Sequence, residues 1–527
     1  MRAPFSRTLP DLLDEMAGRQ GRRPVVIDGD RVIDYAELAL RARRLAAGLR
    51  ARGVKRADRI GILAPNRSEW LEICFGASAA GAVIVPISTW SKSAELAHII
   101  DDAAIVTLFA VAGFAEEDFV AALRGIEAAT PTLKMRVMVG AEPPDGWLAY
   151  EDFFAPESSP LAPGDAPSAA DDALILYTSG STSKPKAVRL AHYGLIENGF
   201  NIGERQELGP EDRILASVPL FWAYGAANLL PAAFTHGAAI VLQSRFEPAE
   251  ALDVIERQQC TAIYTLPGMT SALIAHPRFS AARTASLRTG LTIGSPQDIL
   301  NAAERLGVSR ICNIYGASET YGNCCVTPAA WPLARRAESQ GPPLPGVSLR
   351  VVDAATGATL PPGEVGLIEV SGYLLPGYGG QSADLNASVF TADGWFRMGD
   401  LGRLNEQGEL IFAGRDSEMI KRAGINISPA EVEDVLMQHA AVSQAAVVGA
   451  SDAARGEIIV AFVVCAADAQ ASEADLVAHC RALASRYKVP DRIEFVDRLP
   501  MTATGKVQRQ ALKVLVNGQP SQVQHVA

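Results

Sequence analysis

Basic residues are in short supply: 48 lysines and arginines face 59 acidic residues, a formal charge of -11 over 527 residues. Backbone-directed binding of nucleic acid needs cationic side chains gathered on one surface. A general grip on nucleic acid is therefore excluded, and any anionic ligand must be held by local groups. Cysteine is also sparse. The seven thiols (Cys74, Cys260, Cys312, Cys324, Cys325, Cys465, Cys480) contain no CxxC pair, which removes a disulfide framework and a zinc spacing and fits a reducing cytosol. Long hydrophobic runs are missing too: none reaches the roughly 18 residues a membrane span needs, and the most apolar stretch, 229–241, is interrupted by Pro231, Thr235, His236 and Gly237. Residues 1–23 are broken by Pro4, Pro10, Asp11, Asp14 and Glu15 and have neither an apolar core nor a cleavage signature. The expectation is a cytoplasmic protein with no transmembrane segment, a monomer or homodimer.

With 48% hydrophobic and 20% charged residues, the chain has the balance of a folded protein, and its length exceeds what one core organises. Asp34, with Glu37 three residues on, caps an amphipathic helix that stops at Gly53. Strand-like 59–63, helix-like 69–80 and strand-like 82–86 follow, and similar alternation resumes over 173–273. From about Gly341 the pattern changes to short β-like runs, 347–352 and 367–370, separated by Pro and Gly turns. Ser428-Pro429-Ala430-Glu431 predicts a capping box opening a helix, strand-like 445–448 and 458–464 come next, and Ser472 caps another helix. The predicted fold class is α/β: a large N-terminal domain (1–414) of layered α/β subdomains plus a small β-barrel-like subdomain, then a small mobile α+β C-terminal domain (415–527).

The strongest local signal is an apolar strand, 174–177, emptying into Thr178-Ser179-Gly180-Ser181-Thr182-Ser183-Lys184-Pro185-Lys186. Such a loop can wrap phosphate oxygens with backbone N–H groups, hydroxyls and ammonium charge. It is not the GxxxxGK[ST] phosphate loop, and on composition alone it reads equally well as a hydroxyl-rich surface turn. Other stations follow in order: Gly294-Ser295-Pro296, Asn313 to Thr320, Trp395 to Asp400, Gly414-Arg415-Asp416 and Pro500 to Lys506.

These motifs, in this order and spread over about 36–510, resemble the adenylate-forming superfamily of acyl- and aryl-CoA synthetases, nonribosomal-peptide adenylation domains and firefly luciferase. The resemblance implies an ATP- and Mg2+-dependent ligase that joins a small-molecule carboxylate to AMP, releases pyrophosphate, and passes the acyl group to coenzyme A. By resemblance, Thr178, Ser179, Gly180, Ser181, Thr182 and Lys186 hold the β- and γ-phosphates. Ser183 and Ala187 stand where glycines are common, and a positive φ there would cost about 1 kcal/mol or more. Tyr315 packs on adenine beside Gly316 and the Gly294-Ser295-Pro296 backbone. Ser318 touches a phosphate oxygen, and Glu319 with Thr178 holds magnesium. Asp400 receives the ribose hydroxyls, a bidentate task suited to a carboxylate, and Arg415 reaches the same ribose.

Lys506 is the catalytic lysine the resemblance implies, its ammonium offsetting the charge of two anions brought together. Its PxxxxGK setting resembles an acetylation site, so a lysine acetyltransferase and deacetylase are expected partners. Ser417 corresponds to the hinge, where Asp or Lys is usual. Gly424, with Lys421, lines the CoA tunnel. The acyl pocket is expected from Phe221, Trp222, Tyr224 and Gly316. Its aromatic wall, with no acid to anchor an α-ammonium group, favours an apolar ring-bearing or short- to medium-chain acid. The alternatives are a stand-alone enzyme loading a carrier protein, a luciferase-like oxidoreductase, and a nucleotide-binding regulator without chemistry.

Overall fold

The computed structural model describes residues 2–155, 166–178, 185–422, 425–452, 455–466, 469–484, 486–502 and 507–517, without the side chains of 381, 382, 417, 425, 426 and 486. Strands Val83–Pro86, Ala239–Leu242 and Thr289–Thr292 are buried at every position. Such runs belong in the middle of sheets covered on both faces, and they lie there. One sheet orders its strands Cys325–Val326, Arg310–Tyr315, Thr289–Thr292, Ala262–Tyr264, Arg213–Ala216, Ala239–Leu242, Pro24–Asp28, Arg31–Asp34. Its central neighbours, from Arg310–Tyr315 to Pro24–Asp28, are all parallel. The second orders Tyr378–Gly379, Lys186–Ala191, Asp172–Thr178, Val83–Pro86, Arg59–Leu63, Ile105–Ala110, Met135–Met138, Leu148–Ala149. Helices pack between and around them, giving the layered α/β body expected.

Local signals account for much of this. Helix Tyr35–Ala51 starts where the Asp34 carboxylate accepts the Glu37 N–H at 2.7 Å, and ends before Gly53, which turns the chain at φ 84°. The β-rich stretch forms an antiparallel sheet in the order Ser348–Val352, Gly366–Ser371, Phe396–Leu404, Leu410–Arg415. The small C-terminal domain has its own core, in which Ile420, Val432, Leu436, Val447, Ile459 and Leu476 meet. Its strands Val442–Asp452 and Gly456–Cys465 run longer than the periodicity predicts. No helix among the described residues is long and apolar enough to cross a membrane, and the seven cysteines are free.

One expected cap does not form. Ser428 precedes helix Pro429–Met437 in extended conformation but makes no side-chain cap bond. Its hydroxyl donates instead to the Ala413 carbonyl, on the last strand of the β-rich sheet. Turned toward that distant carbonyl, the Ser428 side chain does not accept from the local amide. Ser472, with no such competitor, forms its capping box.

Across the same junction the charge of Asp298, on the large domain, acts on Asp434, on helix Pro429–Met437 of the small one. Burial, then Glu433, Asp298 and Glu431, push Asp434 up from 3.8 to about 7. Its acidic neighbours are already engaged, Glu433 by Arg509 at 2.6 Å, Glu431 by Lys488 at 2.8 Å, and Asp298 by the Ser295 N–H at 2.9 Å. Of the charges that act on Asp434 only Asp298 lies on the other domain, while Glu433 and Glu431 share its helix. Parting the domains removes the Asp298 contribution and lowers the Asp434 pKa, so docking favours its protonated form. Contact between the domains is therefore expected to weaken as pH rises between the ordinary 3.8 and about 7, by less than about tenfold per pH unit. Energy transfer between labels on the two domains should track this fall, and Asp434→Asn should flatten it. A pH response unchanged by Asp434→Asn would refute the assignment.

Candidate active site

Parallel strands leave their C-terminal ends along one edge, where open α/β sheets place ligands. Along this edge of the first sheet, successive strands deliver Ser244–Phe246, Pro219–Trp222, Leu266–Met269, Gly294–Pro296 and Tyr315–Glu319. In the second sheet, Val83–Pro86 delivers Thr89 and Trp90, and its parallel neighbour Asp172–Thr178 delivers Thr178.

Thr178 lies opposite Lys186 in the antiparallel pair formed by Asp172–Thr178 and Lys186–Ala191. Ser179, Gly180, Ser181, Thr182 and Ser183 lie outside the described residues, as do Gly424 and Lys506. Ala187 sits in regular register opposite Tyr177 and is not among the positive-φ residues, so the strain considered for an alanine at this position does not arise. The Lys186 ammonium lies 5.6 Å above the ring of Tyr378, on the neighbouring strand. The Tyr378 hydroxyl in turn donates to Glu319 Oε1 at 2.7 Å. Burial and the Glu319 charge raise the phenol pKa and keep it a donor. Glu319 Oε2 has no hydrogen-bond donor among the described residues.

The second constellation joins Tyr315, Asp400 and Arg415. Asp400 and Arg415 are cross-strand partners. Asp400 is 4% exposed; its Oδ2 accepts from the Tyr315 hydroxyl at 2.7 Å, and its Oδ1 lies 3.1 Å from Arg415 Nε. Burial first, then the Asp400 charge, hold the Tyr315 phenol protonated. Phe412 tilts against Tyr315 with ring centroids 5.8 Å apart. Two glycines here are dictated by close approach. A Cβ on Gly316 would fall 2.5 Å from the Asn323 backbone, and one on Gly294 2.5 Å from Asp298 Oδ2. Ser295 and Asp298 cap each other's backbone amides, and Pro296 opens the short helix that follows. Ser318 begins a one-turn 3-10 segment with Glu319 and Thr320.

On the same strand-end edge is a cavity of about 390 Å3 walled by Trp90, Phe221, Trp222, Phe246 and Met269, with Arg245 among its lining residues. Trp90 makes edge contacts with Phe221 at 5.3 Å and Trp222 at 5.0 Å. Of the four residues expected to form an acyl pocket, Phe221 and Trp222 line this cavity, whereas Tyr224 and Gly316 do not. The Tyr224 hydroxyl is used structurally, donating to the Leu291 carbonyl at 2.8 Å, with the Thr265 carbonyl at 3.3 Å. Lys421 is exposed on strand Ile420–Arg422, and Ser417 lies in the turn Asp416–Glu418 just after Arg415. Met501 pairs with Val507 across the segment that carries Lys506.

Tyr378, Phe412, Trp90 and Met269 were not legible as site residues. Tyr378, Trp90 and Met269 each arrive from a segment distant in sequence from the motifs.

The family model described as AMP-binding enzyme matches residues 13–378, and that of the AMP-binding enzyme C-terminal domain matches 431–506. The chain belongs to the AMP-binding enzyme family. Indoleacetate–CoA ligase of Aromatoleum aromaticum is 33% identical to the enzyme over 516 residues, 96% of this chain and 98% of that one. Feruloyl-CoA synthase of an Amycolatopsis species is 35% identical over 483 residues, 91% of this chain and 93% of that one. Among solved structures, the anthranilate CoA ligase AuaEII in complex with anthranoyl-AMP matches with a TM-score of 0.87 at 27% identity, covering 98% and 99% of the two chains. The enzyme is an AMP-forming acyl-CoA ligase using ATP and CoA.

Proposed function

We propose that the enzyme activates an apolar, ring-bearing (aromatic or alicyclic) acid, or one of short to medium chain, and transfers it to coenzyme A. The observation that carries this reading is the aromatic-walled cavity of Trp90, Phe221, Trp222 and Met269, on the same strand-end edge as the nucleotide candidates. Relatives named for indoleacetate and ferulate, and a structural neighbour holding anthranoyl-AMP, support a ring.

The residues divide the work. Asp400 exchanges the Tyr315 hydroxyl and the Arg415 guanidinium for the ribose hydroxyls or shares them with it, and Tyr315 with Phe412 offers aromatic surface to the base. Lys186 and the 178–184 loop hold the phosphates. The donor set of Glu319 Oε2 and the Thr178 hydroxyl fits a hard cation such as Mg2+, which commonly takes one or two carboxylates plus phosphate oxygens. When bound, that ion neutralises phosphate charge. The large domain ends at 414, Ser417 is the hinge, and Lys506 on the small domain stabilises the transition state of adenylation. Rotation about the hinge then brings Gly424 and Lys421 to the thiol path. Acetylation of Lys506 would remove its charge and silence the first step.

A panel of carboxylates tests this, scored for acid-dependent pyrophosphate release and for thioester formation with CoA or with a phosphopantetheinyl carrier protein. Ring acids should rank first, with CoA as acceptor. A best substrate of long chain length, or transfer to the carrier alone, would overturn the reading.

A further inference from the structure

The aromatic-walled cavity carries one charge: among the described residues that line it, Arg245 alone is ionic. Arg245 follows strand Ala239–Leu242 and is exposed, with no hydrogen bond or ion pair to another described residue. Its charge reaches Glu247, but that carboxylate is committed elsewhere, accepting the Ala249 N–H at 3.2 Å and the Glu250 N–H at 2.7 Å to cap helix Pro248–Gln258. By contrast, Arg278, Arg283 and Arg288 are each held by a carboxylate.

The place of Arg245 in the row of strand ends decides what it can meet. From Arg310–Tyr315 the parallel strands run Thr289–Thr292, Ala262–Tyr264, Arg213–Ala216 and Ala239–Leu242. The nucleotide candidates Tyr315–Glu319 and Gly294–Pro296 leave the first two, the cavity walls Met269 and Phe221–Trp222 leave the next two, and Arg245 leaves the last. Four strand spacings of about 4.8 Å separate the ends of that row by roughly 19 Å. The carboxylate that becomes adenylated must reach the nucleotide end, so Arg245 stands at the opposite end of the acyl group. Ser244 and Trp90, which line the cavity with it, are exposed as well. An anion held there keeps part of its hydration, whereas the same charge among the aromatic rings would be costly to desolvate. A chain of net charge -11 attracts a second anionic group only through such a local cation.

We propose that the acid selected by this enzyme carries a second anionic group, a carboxylate or a sulfonate, at the end remote from the reacting carboxylate, and that the Arg245 guanidinium receives it. The planar fork of arginine matches such an oxyanion through two parallel hydrogen bonds. The proposal rests on the acyl pocket proposed above and narrows its substrate class: the body of the acid stays apolar and its far end is charged. The phosphates of CoA are the competing source of anionic oxygens for the same side chain.

Matched acids separate the two sources: 3-phenylpropanoate and 3-(4-carbamoylphenyl)propanoate against 3-(4-carboxyphenyl)propanoate, and octanoate against octanedioate, each scored by kcat/KM for thioester formation. The intact enzyme should prefer the diacid over its singly charged counterparts by about tenfold in at least one series, the low end for a charge-assisted hydrogen bond because Arg245 is open to water. That preference should reside in the KM for the acid and shrink as ionic strength rises. Arg245→Gln should lose it, and Arg245→Lys, which keeps the charge without the fork, should retain part. Equal or poorer turnover of the diacids by the intact enzyme would overturn the proposal while thioester formation upheld the function. So would a preference unchanged in Arg245→Gln, or a rise confined to the KM for CoA in that variant, which would give the guanidinium to the CoA phosphates. If no acid released pyrophosphate, both readings would fall.

Discussion

Lys506→Ala is expected to slow acyl-adenylate formation by about 10²- to 10³-fold or more, the scale seen when one preorganised donor is removed from a developing charge. The physical reason is specific to the first half-reaction. A carboxylate must approach the α-phosphorus of an already anionic nucleotide, and Coulomb repulsion between them grows as water is excluded. A single ammonium placed between the two offsets it, and alanine offers nothing in its place. The second half-reaction joins a thiol to a mixed anhydride that is already formed, so Lys506→Ala given synthetic acyl-adenylate and CoA should still produce thioester. Lys506→Gln, which also lacks the charge, should behave like alanine, and enzyme acetylated at Lys506 should match both. Single-turnover measurement of each half-reaction decides the matter: equal losses in the two would remove Lys506 from the role proposed for it.

How far the chain could be read ahead of its structure depended on whether a feature was local. Asp34 and Ser472 cap their helices as their flanking residues require, and the uninterrupted apolar run Val83–Pro86 lies inside a parallel sheet. Ser428 shows the limit of that reasoning. Its sequence pattern is as good as that of Ser472, but a carbonyl 15 residues away takes its hydroxyl. The site divides in the same way. Thr178 and Lys186 close one hairpin, and Tyr315, Asp400 and Arg415 converge because motif order and strand pairing carry them together. Tyr378 meets Glu319 across 59 positions and Phe412 meets Tyr315 across the domain. No periodicity encodes either meeting. The pocket was the least legible part, because an aromatic residue in a motif can line a cavity, as Trp222 does, or tie strand ends together, as Tyr224 does. Only the path of the backbone distinguishes the two.

Asp400→Ala is expected to weaken nucleotide binding by about 10²-fold or more, leaving the KM for the acid nearly unchanged. Two hydrogen bonds to a charged acceptor are worth roughly 1.5–3 kcal/mol each, and about 1.4 kcal/mol corresponds to a tenfold change. Part of the loss comes from the partners left behind. Asp400 is 4% exposed and already accepts from Tyr315 while pairing with Arg415, so its removal frees a buried phenol and loosens the guanidinium that should meet the ribose. The two contributions separate with a second variant. Asp400→Asn keeps the shape and an acceptor for the Tyr315 hydroxyl but lacks the charge that attracts Arg415. It should melt like the parent enzyme yet bind AMP more weakly, whereas Asp400→Ala should lose both affinity and stability. Calorimetric titration with AMP beside a melting curve reads the two effects independently. If both variants bound AMP like the parent, Asp400 would be a structural acid and the ribose would have to be held elsewhere on the strand-end edge.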